Sequence, residues 1–467
     1  MTIDPLIDKR PRSVVHMFLD RVDESPDDDA FYYPVEGGWQ ESTWGQTRSL
    51  VEGLAAGLLA LGIEPEDRVA IIASNRYEWV IAHLAALWSG AAVTAVDPAA
   101  GDDTIAAVVR DSGARVVVAE DLATVQALWR VRARIRSVVK VVQVEGEYPD
   151  SRVLTLEGLL GLGQEHLAAQ PRALAQRLYA VRRQGLATLH YVDDGHGGLR
   201  GVRLAHGALT YQAAAVSSLG VLSDADLLHL ALPLHGVFAQ SLLAVQLGCG
   251  FPIALDGDPD DVVATLGHVR PTFVAADATL LTRIRGVADG EARSGMLRGR
   301  ATDRAFEVAR QVREYRAEGH VPGRLARRHR SLDRRVLSDV REVFGDRLRF
   351  VVAAGSGLDP GLVDYFDLAG VRVLEAYGRA ETGGAACVDL PTDAGLGTAG
   401  RALPGSEVRI SDDGEILVRG PGVMQGYHGR RLETAEAFDQ GWVRTGDAGN
   451  LDGSGRLRVL GGQVGRG

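Results

Sequence analysis

The chain has 467 residues, 46% hydrophobic and 24% charged, with 57 glycines and a formal net charge of −10. That length and apolar content exclude a disordered chain and build large cores over two or three subdomains. The acidic balance excludes a nucleic-acid partner, and two cysteines without a CxxC pair, Cys249 and Cys387, exclude a zinc site and fit a reducing compartment.

Met1–Arg12 lacks signal-peptide features, and no apolar run reaches membrane-spanning length, so a cytoplasmic location is expected. Ser13–Glu24 has helical spacing through Val14, Val15, Phe18, Leu19 and Val22, with Ser13 as its cap. Phe31–Tyr33 and Trp39–Thr43 predict a hairpin across Glu36-Gly37-Gly38. Ser42–Leu61 predicts a long helix closed by Gly62. Arg68–Ala73, Ala91–Val96 and Ala114–Ala119 read as buried parallel strands with helices between them, the pattern of βαβ units.

The stretch Tyr191–Leu209 organises the chain. Leu186–His190 reads as a strand, Asp193–Gly198 as a glycine-dense turn, and Arg200–Leu204 as a second strand, with a helix starting at Ala205-His206. Dense glycine lets backbone N–H groups curl round an anion. Two carboxylates, Asp193 and Asp194, stand where a triphosphate loop needs hydroxyls and a cation.

Beyond it, Leu228–Leu234 reads as a strand, and Val237–Leu247 as a helix entered through His235 and Gly236. Asp256–Asp261 alternates carboxylates, but Pro259 and Gly267 argue for a capping turn and against a calcium loop. Residues 283–347 are arginine-rich, with Arg324, Arg327, Arg328, Arg330, Arg334 and Arg335 close together. A solvated helix face and peripheral membrane contact are the two readings of that cluster. Arg349–Ala353 is a buried strand leading to Gly355-Ser356, and Val371–Leu374 another leading to Tyr377-Gly378-Arg379-Ala380-Glu381-Thr382. Gly395–Gly400 matches GxGxxG formally, but Pro404-Gly405 breaks any helix that would receive a pyrophosphate. Glu407–Ile410 and Glu415–Arg419 read as strands, ahead of Gly441–Asp447.

These blocks, in this order, resemble the adenylate-forming superfamily in its long-chain fatty-acyl-CoA synthetase branch, restricted to the large N-terminal domain. Tyr191, Gly197, Gly201 and His206 match the signature loop, while Arg200 replaces its lysine. The resemblance implies an α/β fold: two αβ subdomains with mostly parallel central sheets plus a small β-rich subdomain, the family's C-terminal lobe being absent. Its expected divisions are 1–185, 186–390 (holding the loop and the basic helical insertion 283–347), 391–460, and a hinge remnant at 461–467. It also implies ATP and Mg for adenylation and CoA for thioester formation. Nucleotide contacts would fall to Gly197, Arg200, Gly355, Ser356, Tyr377, Gly378, Glu381, Thr382 and Asp447, with Glu381 on magnesium. The acyl pocket would use His235, Gly236, Val237 and Phe238.

The departures bear on chemistry. Adenylation needs positive charge around the α-phosphate, and the only lysines are Lys9 and Lys140. No residue is therefore assigned as catalytic. The expected function is a homologue with lost or reduced acid–thiol ligation that binds a fatty acyl ligand or a partner. The alternatives are an adenylating enzyme completed by a companion protein's C-terminal lobe, and a folded decay product without a ligand.

Overall fold

The computed structural model describes residues 5–195, 197–257, 261–292, 296–355, 358–393 and 395–463, and every structural count below refers to these. Runs of β-branched and small apolar residues, buried on both faces, set two large sheets. In the first, Arg68–Ile72, Ala92–Val96, Val116–Ala119, Lys140–Gln143 and Val153–Thr155 pair in parallel, and Leu186–Asp193 joins Ala92–Val96 in the same sense. Leu199–Ala205 and the two-residue strand Gly426–Tyr427 extend that edge antiparallel, making eight strands.

The second sheet has nine strands. Its parallel centre comprises Leu228–Leu230, Ile253–Leu255, Phe273–Ala276, Phe350–Ala354 and Val373–Arg379, with Asp29–Val35 parallel to Ile253–Leu255. The hairpin strand Gly38–Thr43 closes one edge antiparallel, and Gly384–Val388 with Arg401–Ala402 closes the other. The sheets therefore exchange chain across residue 185: an early hairpin belongs to the second sheet and a later one to the first. Five strands between Glu407 and Gln463 form a smaller antiparallel sheet. The mixed α/β class with parallel centres is as expected.

Local signals explain most boundaries. The Ser13 hydroxyl caps Val14–Glu24 by accepting from His16 N–H at 3.3 Å. The long helix begins at Trp44, two residues later than the spacing predicts, because Ser42 still pairs in the hairpin and Thr43 with Gln46 forms a capping box. The strand expected over Leu228–Leu234 stops at Leu230. Past that point Asn75 takes over the backbone: its amide donates to the Leu230 and Leu232 carbonyls at 3.1 and 2.9 Å, and its oxygen accepts from Leu234 N–H at 2.7 Å. This buried side chain fixes the loop that enters helix Val237–Cys249.

The arginine-rich segment contains the helices Met296–Ala317 and Gly323–Leu332. Arg313 pairs with Asp364 and Asp367 of helix Pro360–Leu368 at 2.6 and 3.2 Å, while Arg324, Arg327, Arg328 and Arg330 are exposed. No described helix is long and apolar enough to cross a membrane.

Candidate functional site

Leu186–Asp193 and Leu199–Ala205 form an antiparallel hairpin, with Asp193 opposite Leu199. Gly195 and Gly197 turn the connection at φ of +80° and +81°, values an L side chain resists. His196 lies outside the described residues. Asp193 Oδ1 accepts the Gly195 N–H at 2.6 Å, and Asp194 Oδ1 accepts the Gly198 N–H at 2.9 Å. Backbone donors that a glycine-rich turn can offer an anion are thus engaged by the turn's own carboxylates.

Four charged side chains meet beside the hairpin. Glu381, only 3% exposed, follows strand Val373–Arg379 in a short 3-10 turn. Its Oε1 accepts from the Tyr427 hydroxyl at 2.9 Å and lies 3.5 Å from Arg200 Nη2; its Oε2 lies 3.6 Å from Arg379 Nε. The Arg200 guanidinium sits 4.3 Å from the centre of the Tyr427 ring, a cation–π contact. Arg379 Nη1 also donates to Asp447 Oδ1 at 2.9 Å, and the Tyr377 hydroxyl donates to Asp447 Oδ2 at 2.8 Å. Two guanidiniums therefore neutralise two carboxylates, and both oxygens of Asp447 are engaged. Burial, then the neighbouring carboxylates, pushes both phenols well above the ordinary tyrosine range, so they stay donors. Burial pulls the Arg379 guanidinium down, but Glu381 and Asp447 outweigh it and the net shift is upward.

The other residues expected to touch nucleotide are distributed unevenly. Gly378 stands where an added Cβ would overlap the Gly384 carbonyl, so its smallness serves strand packing. The Thr382 hydroxyl accepts the Arg379 N–H at 2.8 Å, closing its own turn. Gly355 lines a separate open cleft of about 620 Å³ with Glu375, Gly397 and Arg458. Ser356 lies outside the described residues. Asp447 falls inside strand Trp442–Leu451, at an irregularity between Asp447 and Gly449, and not in a turn before a strand. Glu381 is the carboxylate that would hold magnesium; two guanidiniums and a phenol already face it, while its Oε2 makes no hydrogen bond. No described group of three or more His, Cys, Asp or Glu is arranged to hold a metal.

On the other face of the tyrosine strand lies an apolar pocket of about 90 Å³. Helices His206–Ser217 and Val237–Cys249 cover it with Val216, Phe238 and Leu242, against Val352 and Leu374 from the sheet. Of the four acyl-pocket candidates, Phe238 lines this cavity. His235 sits half-buried in the preceding loop, its pKa lowered by burial and partly restored by Asp97.

A family model described as AMP-binding enzyme matches residues 18–428. The chain belongs to this family. Among its relatives in the AMP-binding family is the long-chain-fatty-acid–CoA ligase FadD15 of Mycobacterium bovis, 28% identical over 455 residues that cover 96% of this chain and 74% of FadD15. The putative fatty-acid–CoA ligase fadD11 of Mycobacterium tuberculosis is 30% identical over 293 residues, 60% of this chain and 50% of fadD11. Among solved structures, the long-chain-fatty-acid–CoA ligase FadD1 of Archaeoglobus fulgidus superposes with a TM-score of 0.76 at 17% identity, covering 97% of this chain and 85% of that one. The N-terminal domain of FACL13 from Mycobacterium tuberculosis gives a TM-score of 0.71 at 20% identity, covering 97% of this chain and 100% of that one. At those identities the structures speak for the fold alone. The sequence relatives make the chain a homologue of long-chain fatty-acid–CoA ligases.

Two residues of the site escape sequence reasoning. Tyr427 arrives from beyond residue 420 on a two-residue strand paired with Val202 and Arg203, and Gly-Tyr alone gives no signal. Arg379 occupies the variable position of Tyr-Gly-x-Thr-Glu, so the motif passes over it.

Proposed function

We propose that this chain is a member of the AMP-binding family that keeps an apolar ligand pocket but has lost, or greatly weakened, the uptake of ATP and hence acid–thiol ligation. Family members use ATP, magnesium and CoA. The observation that carries the reading is the engagement of the Gly195 and Gly198 N–H groups by Asp193 and Asp194. A phosphate entering there must displace those charge-assisted bonds, at about 1.5–3 kcal/mol each. It also meets the displaced carboxylates, at about 4 kcal/mol for a pair ~4 Å apart at an effective dielectric of ~20. Those penalties rival the ~8 kcal/mol of a micromolar complex. The self-neutralised cluster of Arg200, Arg379, Glu381 and Asp447 supports the same reading, because its two guanidiniums face two carboxylates and both Asp447 oxygens are already hydrogen-bonded.

A second reading is adenylation completed by a lobe from a companion protein. The convergence of Tyr377, Glu381 and Asp447 in one cluster favours it. Isothermal titration with Mg-ATP and with AMP, followed by ATP–pyrophosphate exchange over a panel of carboxylates, tests both. The first reading expects neither micromolar binding nor exchange; exchange with any acid would overturn it in favour of the second.

A further inference from the structure

The apolar pocket is lined by small residues at one end and by rings at the other. Phe350, Val352 and Ala354 alternate along one strand, so all three face the cavity. In register, Phe350 lies opposite Phe273 on one neighbouring strand, and Ala354 lies opposite Ala376 on the other. An alanine rank (Ala354, Ala376, with Ala385) thus lines the end nearest Tyr377, and an aromatic rank lines the far end. The two floor rings are 5.7 Å apart, and Phe251 backs Phe273 edge-on at 5.2 Å. Phe273 is fully buried and Phe350 only 3% exposed, so away from the cavity both rings are held by core packing. Three polar side chains belong to the lining: Gln212 donates to the Ala385 carbonyl at 2.9 Å, Ser241 donates to the Gly383 carbonyl at 3.0 Å, and burial lifts the Asp389 carboxyl to about 7.

We infer that this pocket takes short aliphatic carboxylic acids, with tails smaller than an aromatic ring, and that Phe273 and Phe350 set the limit. The inference rests on the acyl-binding half of the function proposed above. Size decides it: the cavity holds about 90 Å³, whereas an engineered apolar cavity of ~150 Å³ accepts one benzene. A long-chain tail must push through two packed phenylalanines, although the chain's sequence relatives are long-chain ligases.

The test is calorimetric titration and native mass spectrometry with butyrate, benzoate, decanoate and palmitate. Butyrate should bind at least about tenfold more tightly than benzoate or palmitate, the discrimination a mismatched apolar pocket gives. Phe350→Ala should move the preference toward decanoate. Phe350→Leu, which preserves more of the core, should move it the same way by a smaller factor, with circular dichroism verifying the fold of each. Ala376→Phe should abolish binding of all four acids. Palmitate binding most tightly to the wild type, or an unchanged order in a folded Phe350→Leu protein, overturns the size limit while leaving acyl binding intact. Failure of every acid to bind overturns the acyl-binding reading and this inference with it.

Discussion

A carboxylate that accepts its own loop's N–H groups does for that loop what a bound anion does: it satisfies the donors and holds the turn. Asp193 and Asp194 are in that position, so removing them should uncover the cradle and not collapse the hairpin, whose strands pair independently. Asp193→Ser combined with Asp194→Gly is therefore expected to raise Mg-ATP affinity at least tenfold, read by titration calorimetry. An unchanged or lower affinity would show that the carboxylates are not what keeps phosphate out. Arg379 presents the reverse case, a cation whose loss leaves Asp447 with the Tyr377 hydroxyl alone and Glu381 with Arg200 and the Tyr427 hydroxyl. Arg379→Leu should cost about 3–5 kcal/mol in urea unfolding, the penalty of breaking a buried pair on one side. A loss under 1 kcal/mol would mean the cluster is solvated enough to need no arginine. Tyr377, Glu381 and Asp447 were legible in the sequence because they sit in motifs of fixed spacing. Tyr427 and Arg379 were not, because one depends on a long-range strand pairing and the other on a side-chain direction that spacing does not encode.

Helices show how small residues set geometry. Helix Leu156–Ala169 crosses Trp44–Ala60 where Gly163 faces Gly53 and Gly57, and a Cβ at Gly163 would overlap the Gly53 carbonyl. Gly163→Ala would gain helix propensity in isolation, yet the crossing has no room for a methyl. The expected result is a net loss of about 1–3 kcal/mol from overpacking, measured as a lower urea midpoint; a neutral or stabilising effect would mean the helices separate freely. The elements themselves were largely legible. Period-two and period-3.6 patterns, with Ser13 and Gly62 as punctuation, locate Val14–Glu24, the first hairpin, Trp44–Ala60 and three parallel strands within about two residues, whereas Lys140–Gln143, Val153–Thr155 and the helices from Leu156 to Ala180 were not legible. Sheet membership was not legible from linear order, since Asp29–Thr43 pairs with Ile253–Leu255 more than two hundred residues away. The strand end at Leu230 was equally hidden, because a distant asparagine takes over the backbone groups that a longer strand would have used.

At the scale of the whole molecule, buried titratable groups set a pH profile. Burial holds His83 and His206 at about 3, and His190 and His229 at about 4. Unfolded, each returns to ~6.5, so as pH falls from about 6.5 toward 4 the unfolded chain binds protons that the folded chain refuses, and stability drops. Two carboxyls act oppositely. Burial first, and Asp389 second, lifts Glu375 to about 7, while burial lifts Asp389 to about 7 against its hydrogen bonds. Between about 4.5 and 7 the folded chain holds those two protons and the unfolded chain does not, which favours folding at lower pH and fades as pH rises through 7. Four histidines against two carboxyls leave a net uptake of about two protons on unfolding near pH 5.5, a slope of roughly 2–3 kcal/mol per pH unit. Stability should therefore peak near pH 7 and fall steeply between pH 6 and 4.5, followed by urea midpoints across that range. Glu375→Gln removes one opposing carboxyl, leaving about three protons uncompensated, so its acid limb should be steeper than the wild type's by about half. A variant limb no steeper than the wild type's would mean that Glu375 is ionised in the fold and that the buried histidines act unopposed.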